Sequence, residues 1–231
     1  TIFDRIKVIK AIARAGELAK VNKYNDYQFF KLEPEESDNI YLNDSEIARL
    51  ANVNLSRHKH LEETRDLFVV ACWVGCRFGD FNKITPDNIK NNLIHFKQAK
   101  TKGKVIIPLH PTVKRILEKY NGKLPQAKVN QVFNRELKLI AKASRFRQKE
   151  TKGITKGGKY KEETLEKWQM VSSHTARRSF ATNLYNQGVE VITIMKMTGH
   201  RTEGAFLKYI KVTEEQHARK LEQHWNKIYQ N

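Results

Sequence analysis

The C-terminal third of the chain contains polar residues whose types and spacing could support chemistry on an anion. His174 and Arg177 stand at positions i and i+3, and His200 and Tyr209 follow them. On a helix, side chains at i and i+3 share one face, so His174 and Arg177 could hold an anion together. A nearby tyrosine could attack that anion. In a chain with a formal net charge of +18, the obvious anion is a DNA phosphate.

A tyrosine needs a special environment to act as a nucleophile, because a phenol with a pKa of about 10 is mostly protonated at neutral pH. It requires a base and strongly cationic surroundings. Arg77, which ends an apolar run, and a lysine in the turn around Lys100 could complete those surroundings. Each residue is weak evidence alone, since Arg77 could simply pair with Asp80 and turn lysines commonly serve only solubility.

The composition indicates a folded protein that binds a polyanion. The 231 residues are 39% hydrophobic, and 43 Lys and Arg against 25 Asp and Glu are spread along the chain. Cys72 and Cys76 lie in an apolar run, where we expect buried thiols in a reducing compartment. The longest apolar stretch, 67–76, is too short for a membrane span of about 20 residues, and we find no secretory signal.

Two common signatures of phosphoryl transfer are missing from the sequence. It has no paired acids at metal-ligand spacing, which disfavours a two-metal nuclease, and no GxxxxGK[ST] loop. Phosphoryl transfer without metal or nucleotide requires protein cations that balance the developing charge, and this chain has them. We therefore expect no cofactor.

Hydrophobic periodicity predicts the elements that must position these residues. The pattern indicates a mainly helical fold with a small antiparallel sheet, an α+β class. Strands at 93–98 and 105–109 form a hairpin with Lys100 in its turn. Asn43 and Thr213 begin helices with capping chemistry, and Ser173 is the predicted cap of the helix that carries His174. Further helices are predicted at 2–20, 60–75, 112–120, 129–142, 174–187 and 190–197, with a short one around 206–209.

The chain divides into three predicted parts. Residues 1–30 form a helix and connector, 31–38 an acidic linker with a proline, and 39–231 the main domain. The basic segment 145–161 is read as a loop or flexible hairpin, either solvated or in contact with a DNA backbone. Since the chain begins with Thr1 rather than Met, we expect a fragment whose N-terminal part is missing.

Together, these residues resemble the tyrosine recombinase (phage integrase) family, from about residue 39 to the end. The match comprises, in order, Arg77, Lys100, His174-x-x-Arg177, Gly199-His200 and Tyr209. Local context agrees, because Gly75-Cys76 precedes Arg77 and the hairpin ends in Ile106-Ile107-Pro108-Leu109. The sequence around His174 is most similar to integrases of bacterial conjugative or transposable elements. Asp80 stands where family members often have glutamate, and the shorter acid can still orient Arg77.

The resemblance implies a fold and a mechanism. The fold is the tyrosine recombinase catalytic domain, with 1–30 as the remnant of a helical core-binding domain. In the mechanism, Tyr209 attacks a DNA phosphate and forms a 3′-phosphotyrosine, and a 5′ hydroxyl of another strand then reverses the step without metal or ATP. Arg77, Arg177 and His200 bind the phosphate, and His174 assists proton transfer or orients the phosphate. Lys100 protonates the leaving 5′ oxygen, and Lys102 or Lys104 would take this role if Lys100 does not.

The resemblance also implies partners. These are double-stranded recombination sites, a homotetramer on DNA and, in some systems, accessory DNA-bending proteins, acting in the bacterial cytoplasm at the nucleoid with no membrane. The apolar stripe Ala218, Leu221, Trp225 and Ile228 could be exchanged between protomers or dock on its own core. Further expected DNA contacts are Lys102, Lys104, Lys156, Lys159, Arg178 and Arg201.

Two other functions fit part of the pattern. Residues 174–197 mimic a helix-turn-helix, which would make the chain a non-enzymatic DNA binder. That reading leaves Arg77, the lysine turn and Tyr209 without roles. A type IB topoisomerase-like enzyme would share the covalent chemistry without strand exchange. If Tyr209 were not the nucleophile, Tyr185 or Tyr229 would be next.

Overall fold

The computed structural model describes residues 2–30, 39–127, 129–156, 159–210 and 212–229. The chain divides into two compact units, one of residues 1–38 with 153–162 and one of 39–152 with 163–231. The segment 31–38, predicted as a linker, lies outside the described residues. Within the described ranges, none of the helices has the length and apolar character that crossing a bilayer requires.

The described part of the chain is mainly helical, and the long helices follow the predicted order. Periodicity did not predict the helices α4 and α7, because four residues are too few to display it. The helices are α1 (Ile2–Leu18), α2 (Asp44–Ala51), α3 (Lys59–Val74), α4 (Phe78–Phe81), α5 (Pro111–Lys119), α6 (Asn130–Ala143), α7 (Lys167–Met170), α8 (Ser173–Asn186), α9 (Val191–Thr198), α10 (Glu203–Tyr209) and α11 (Glu214–Tyr229).

Two small antiparallel sheets complete the described structure, which confirms the α+β class. The first has the order β1 (Ile89–Lys90), β2 (Leu93–Lys97) and β3 (Lys104–Pro108), with Lys97 opposite Lys104 beside the predicted turn. The hairpin was predicted, and the two-residue β1 was not. Strands β4 (Lys149–Lys156) and β5 (Lys159–Glu166) pair in the second sheet. The basic segment around 145–161 is therefore a hairpin rather than a loop.

Helix α3 is the centre of the larger unit. Its apolar second half is buried except for the partly exposed Trp73, with Phe68, Val69 and Val70 each 0% exposed, and it packs against α2, α5, α6 and α8. Cys72 and Cys76 are buried free thiols, as predicted, and burial raises the pKa of both. Burying a whole helix segment in this way requires that its neighbours supply apolar faces on every side.

The helix that carries His174 begins one residue away from the predicted cap. Ser172, not Ser173, is the N-cap of α8, and its N–H donates to the Thr175 hydroxyl at 3.0 Å. Ser173 is drawn into a different contact, because its hydroxyl donates to Asn130 at 2.9 Å and its N–H to Asn134 at 2.7 Å. These bonds fix the first turn of α8 on α6. The capping predicted at Asn43 and the capping box predicted at Thr213 are both present.

Gly75 allows α3 and α8 to meet closely. It ends α3 in the left-handed conformation at φ +65°, and a Cβ built on it would lie 2.2 Å from the ring of Phe180 on α8. A glycine is required here by both backbone conformation and space.

We predict that Gly75→Ala destabilises the fold by roughly 2–4 kcal/mol, because a left-handed alanine is strained and its methyl collides with Phe180. Denaturant unfolding measures the change. Gly188→Ala is the matched control, since Gly188 also has a positive φ, +88°, but nothing lies within 4 Å of its Cβ position. Equal losses in the two variants would contradict the close packing.

Candidate active site

Arg177 is a buried cation held at the end of α3. It is 3% exposed, and its Nη1 donates to the carbonyl oxygen of Gly75 at 3.0 Å. Within the described residues, no carboxylate forms an ion pair with it. Burial lowers the pKa of this guanidinium, although arginine stays charged at any physiological pH. The side chain therefore carries a desolvated positive charge that an external anion could neutralise.

Tyr209 ends α10 beside that charge. The Arg178 Nε donates to the backbone carbonyl of Tyr209 at 2.8 Å, and its guanidinium carbon lies 4.5 Å from the phenol ring centroid. The guanidinium carbon of Arg177 lies 5.9 Å from the same centroid, and the His200 ring centroid 4.8 Å from it. The ring also packs on a small apolar cluster formed by Ala181, Ile194, Phe206 and Ile210.

The hydroxyl of Tyr209 is buried, and no group among the described residues meets it with full hydrogen-bond geometry, although the Arg177 guanidinium is close enough to lower its pKa by hydrogen bonding. Burial raises the pKa of this phenol, while the positive charges of Arg177 and Arg178 lower it. Buried hydroxyls in folded proteins nearly always have a partner. A buried hydroxyl of this kind, placed between positively charged side chains, could bind a group from outside the chain. An anion would complement the positive charge.

His200 is oriented by the end of α9. Gly199 ends that helix in the left-handed conformation, and His200 Nδ1 lies 2.8 Å from the Thr198 hydroxyl oxygen. Because this hydroxyl donates to the Ile194 carbonyl at 2.7 Å, its oxygen accepts the Nδ1–H of His200. Burial, then the charges of Arg177 and Arg77, lower the pKa of His200 to about 4. In the free protein at neutral pH, the imidazole is therefore uncharged.

His174 is also kept uncharged, although its residue is solvent-exposed. Partial burial of the ring lowers its pKa, and the positive charges of Arg178, Arg177 and Arg77 lower it further. A neutral imidazole on the exposed side of the cationic cluster can accept a proton. The structure thus brings Arg177, Arg178 and His200 around the Tyr209 ring, and His174 lies within the influence of the same arginine charges. Sequence spacing had placed only His174 and Arg177 together.

Asp80 does not pair with Arg77, which corrects the expectation from sequence. Its Oδ1 accepts the backbone N–H of Ala99 at 2.8 Å, and among the described residues it forms no ion pair. The Arg77 Nη1 instead donates to the Gln98 amide oxygen at a long 3.4 Å. Asp80 therefore anchors the hairpin turn, and Arg77 keeps an uncompensated charge. The acid is buried in α4, and its carboxylate binds the N–H of Ala99 at the start of that turn.

The lysine turn lies next to the cluster without joining it. Lys100, Lys102 and Lys104 are all exposed, and within the described residues the side chain of Lys100 makes no hydrogen bond or ion pair. The turn and the end of α9 enclose a groove of about 400 Å³ that reaches His200. Lys196, which sequence reasoning missed, and Arg201 also line this groove.

The expected DNA contacts have different outcomes. Arg201 and the turn lysines Lys102 and Lys104 are exposed and available. Arg178 is 8% exposed, and its guanidinium is hydrogen-bonded to the backbone of Tyr209. Its position favours a role in holding the tyrosine rather than in direct DNA contact. The side chains of Lys156 and Lys159 lie outside the described part of the chain. No group of three or more His, Cys, Asp or Glu within that part is arranged to hold a metal ion.

Solved structures share this fold at low sequence identity. The Tn1549 transposon integrase in complex with a circular intermediate DNA matches with TM-score 0.65 and 18% identity, over 95% of this chain and 78% of that one. XerA recombinase matches with TM-score 0.59 and 15% identity, over 96% and 75%. A lambda integrase tetramer bound to a Holliday junction matches with TM-score 0.62 and 16% identity, over 89% and 58%. Among curated protein sequences, none matches.

We predict that His200 titrates with a midpoint near pH 4 in the DNA-free protein, instead of near 6.5. The unfolded chain then binds more protons than the folded one between these values, so stability falls as pH drops through this window. An NMR titration of the imidazole Cε1–H measures the midpoint, with the spectrum of His200→Gln as assignment control. A midpoint close to 6.5 would contradict the burial of this ring beside two guanidinium groups.

The sequence model of the phage integrase family matches residues 41–216, well over half of the chain. This range contains the arginine, lysine, histidine and tyrosine positions described above, and the fold agrees with that of solved recombinases. The chain therefore belongs to the phage integrase family, the tyrosine site-specific recombinases.

Proposed function

We propose that this protein cuts and rejoins DNA strands through a covalent 3′-phosphotyrosine at Tyr209. The observation that carries the proposal is the buried, unpartnered Tyr209 hydroxyl among Arg177, Arg178 and His200. A scissile phosphate would supply both the negative charge and the hydrogen-bond acceptor that this pocket lacks. Electrostatic stabilisation by groups already in place is commonly the largest contribution to catalysis of this kind.

The two uncompensated arginines form the phosphate clamp in this proposal. Arg177 and Arg77 donate to the non-bridging oxygens, and neither has a carboxylate partner within the described residues that would compete for its charge. Guanidinium groups bind phosphate through paired hydrogen bonds, which fix its orientation as well as its charge. As Tyr209 attacks, its proton passes to the neutral imidazole of His174 or to water.

His200 changes its protonation when the phosphate arrives. Its Nδ1–H is committed to Thr198, so Nε2 carries a lone pair in the free protein and cannot donate. A phosphate between the arginines offsets the charges that lower the pKa of this imidazole. His200 then takes up a proton, and Nε2–H donates to a phosphate oxygen while Nδ1–H keeps its bond.

Lys100 supplies the proton for the leaving 5′ oxygen, with Lys102 and Lys104 on the same exposed turn as fallback positions. The P–O5′ bond breaks as the P–O bond to the phenol forms. The free energy of the phosphodiester is retained in that bond, so a 5′ hydroxyl from another strand can reverse the step without ATP, metal or other cofactor. The substrate is double-stranded DNA, and the reaction occurs at the bacterial nucleoid.

The C-terminal helix α11 is the proposed link between protomers. Its first turns contact the body through a Gln216–Tyr41 hydrogen bond of 2.9 Å, whereas Leu221, Trp225 and Ile228 are 48%, 54% and 53% exposed. Such a stripe fits a partner of the same chain better than solvent. A four-protomer assembly on two DNA sites is supported by the lambda integrase tetramer on a Holliday junction.

Two other functions are separable from this one. A non-enzymatic DNA binder would have no use for the orphaned hydroxyl, and family membership speaks against it. A topoisomerase-like enzyme would use the same pocket but relax supercoils without exchanging strands. An assay with two DNA sites on one plasmid distinguishes it, because only recombination yields joined products of new sequence order.

We predict that the wild-type protein forms a covalent adduct with a nicked suicide DNA substrate and that Tyr209→Phe forms none. The change removes only the attacking oxygen and keeps the packing of the ring. Denaturing gel electrophoresis detects the adduct. Tyr185→Phe is the matched control and keeps it, since the Tyr185 ring contacts Lys220 and His217 rather than the Arg177, Arg178 and His200 groups around Tyr209. An adduct that persists in Tyr209→Phe would move the nucleophile elsewhere.

We also predict that Leu221→Ala with Trp225→Ala weakens assembly on two-site DNA by at least about 10-fold, because buried aromatic anchors dominate interfaces. Binding to a single site is unchanged. Sedimentation of the DNA complexes measures both quantities. Arg219→Ala, which breaks an exposed ion pair with Glu215 on the same helix, is the control. Normal two-site assembly by the double variant would show that the stripe is not an interface.

A further inference from the structure

Gln98 is a buried amide at the junction of three elements that carry proposed catalytic groups. It directly follows β2 and is 1% exposed. Its Oε1 accepts hydrogen bonds from Arg77 Nη1, at 3.4 Å, and from the Thr101 hydroxyl. Its Nε2 has no partner within the described residues. A buried amide N–H without a hydrogen-bond partner costs free energy, so its presence here calls for an explanation.

The loop before His200 closes against the same amide. A Cβ built on Gly199 would lie 2.1 Å from Oε1 and 2.6 Å from Nε2 of Gln98. Any larger residue there would displace the Gln98 amide, and the φ of +67° independently favours glycine. The amide plane is therefore confined between the end of α9 on one side and the arginine and threonine donors on the other.

Gln98 also closes the turn that contains Lys100. Its N–H donates to the Gly103 carbonyl and its carbonyl accepts from the Lys102 N–H, each at 2.9 Å. Its side chain holds Thr101, on the other side of Lys100. These bonds fix the backbone on both sides of Lys100. The position of the turn therefore determines which atoms the flexible lysine side chain can reach.

We propose that Gln98 is a positioning residue that fixes the lysine turn relative to Arg77 and His200, so that the Lys100 ammonium meets the leaving 5′ oxygen. This inference rests on the proposed function. A neutral amide suits the position, because it binds Arg77 through one oxygen without neutralising it. A carboxylate would form an ion pair with Arg77 and remove charge from the phosphate clamp.

The test uses two suicide substrates, one with the natural bridging 5′ oxygen and one with sulfur in its place. With either, the P–O bond to Tyr209 forms as the bond to the leaving atom breaks. Oxygen needs the proton of Lys100, whereas the sulfur leaves as a stable thiolate without a proton. Lys100→Ala is the reference for loss of the acid, and Arg77→Ala is the reference for loss of the clamp.

We predict that Gln98→Ala slows adduct formation on the oxygen substrate by about 10²-fold, which is the rate loss expected when a catalytic group is misplaced. On the sulfur substrate, its rate remains within about 3-fold of the wild-type rate. Thr101→Val shows a smaller defect of the same kind and keeps the side-chain volume. Gln98→Glu is slow on both substrates, like Arg77→Ala.

Asn88→Ala is the matched control, because it removes an amide that donates to the His95 carbonyl in the same sheet, away from the turn. It leaves both cleavage rates unchanged. Thermal unfolding and single-site DNA binding verify that each variant is folded. A Gln98→Ala defect of equal size on both substrates, or wild-type rates on both, would overturn the positioning role. No adduct with the wild-type protein would instead remove the proposed function, and this inference with it.

Discussion

The structure depends on keeping positive charge buried with no matching negative charge among the described residues. Arg177 is enclosed beside a phenol, held by one hydrogen bond to a backbone carbonyl, and Arg178 is nearly as deeply buried beside it. Burying unpaired cations opposes folding, because water solvates them far better than protein does. A carboxylate within reach would relieve this cost and would also occupy the place of a phosphate. The acid nearest in sequence to Arg77, Asp80, is used on a backbone amide instead.

The rest of the fold provides the stability and rigidity that this pocket requires. The apolar half of α3 is almost wholly buried, and its end is held on α8 by the close approach of Gly75 and Phe180. The same glycine offers the carbonyl that Arg177 binds, although the two residues are 102 positions apart. The packing of α3 on α8 and the position of the Arg177 guanidinium therefore depend on each other, since a shift between these helices would move the Gly75 carbonyl.

Much of this architecture could be predicted from the sequence, and the exceptions have a common physical cause. Periodicity and capping residues placed the long helices and the hairpin, and ordered motif residues indicated which side chains converge. The sequence did not predict the hydrogen-bond partners of Asp80, Gln98 and Arg178, because each partner lies on an element that is distant in sequence. Local spacing favoured an Asp80–Arg77 pair, whereas tertiary structure brought an unpaired amide N–H closer. The stretch 145–161 was ambiguous because alternating strand character is weak among lysines and glycines.

In the proposed mechanism, the bond between Arg178 and Tyr209 has a consequence for the step that follows cleavage. It engages the main-chain oxygen of residue 209 rather than the phenol, so esterifying the phenol leaves this anchor intact. A strand end joined to the protein would stay seated where it was cut, without the helix end being released. Religation would then start from the same geometry as cleavage, which suits an enzyme that must run one chemical step in both directions with no external energy.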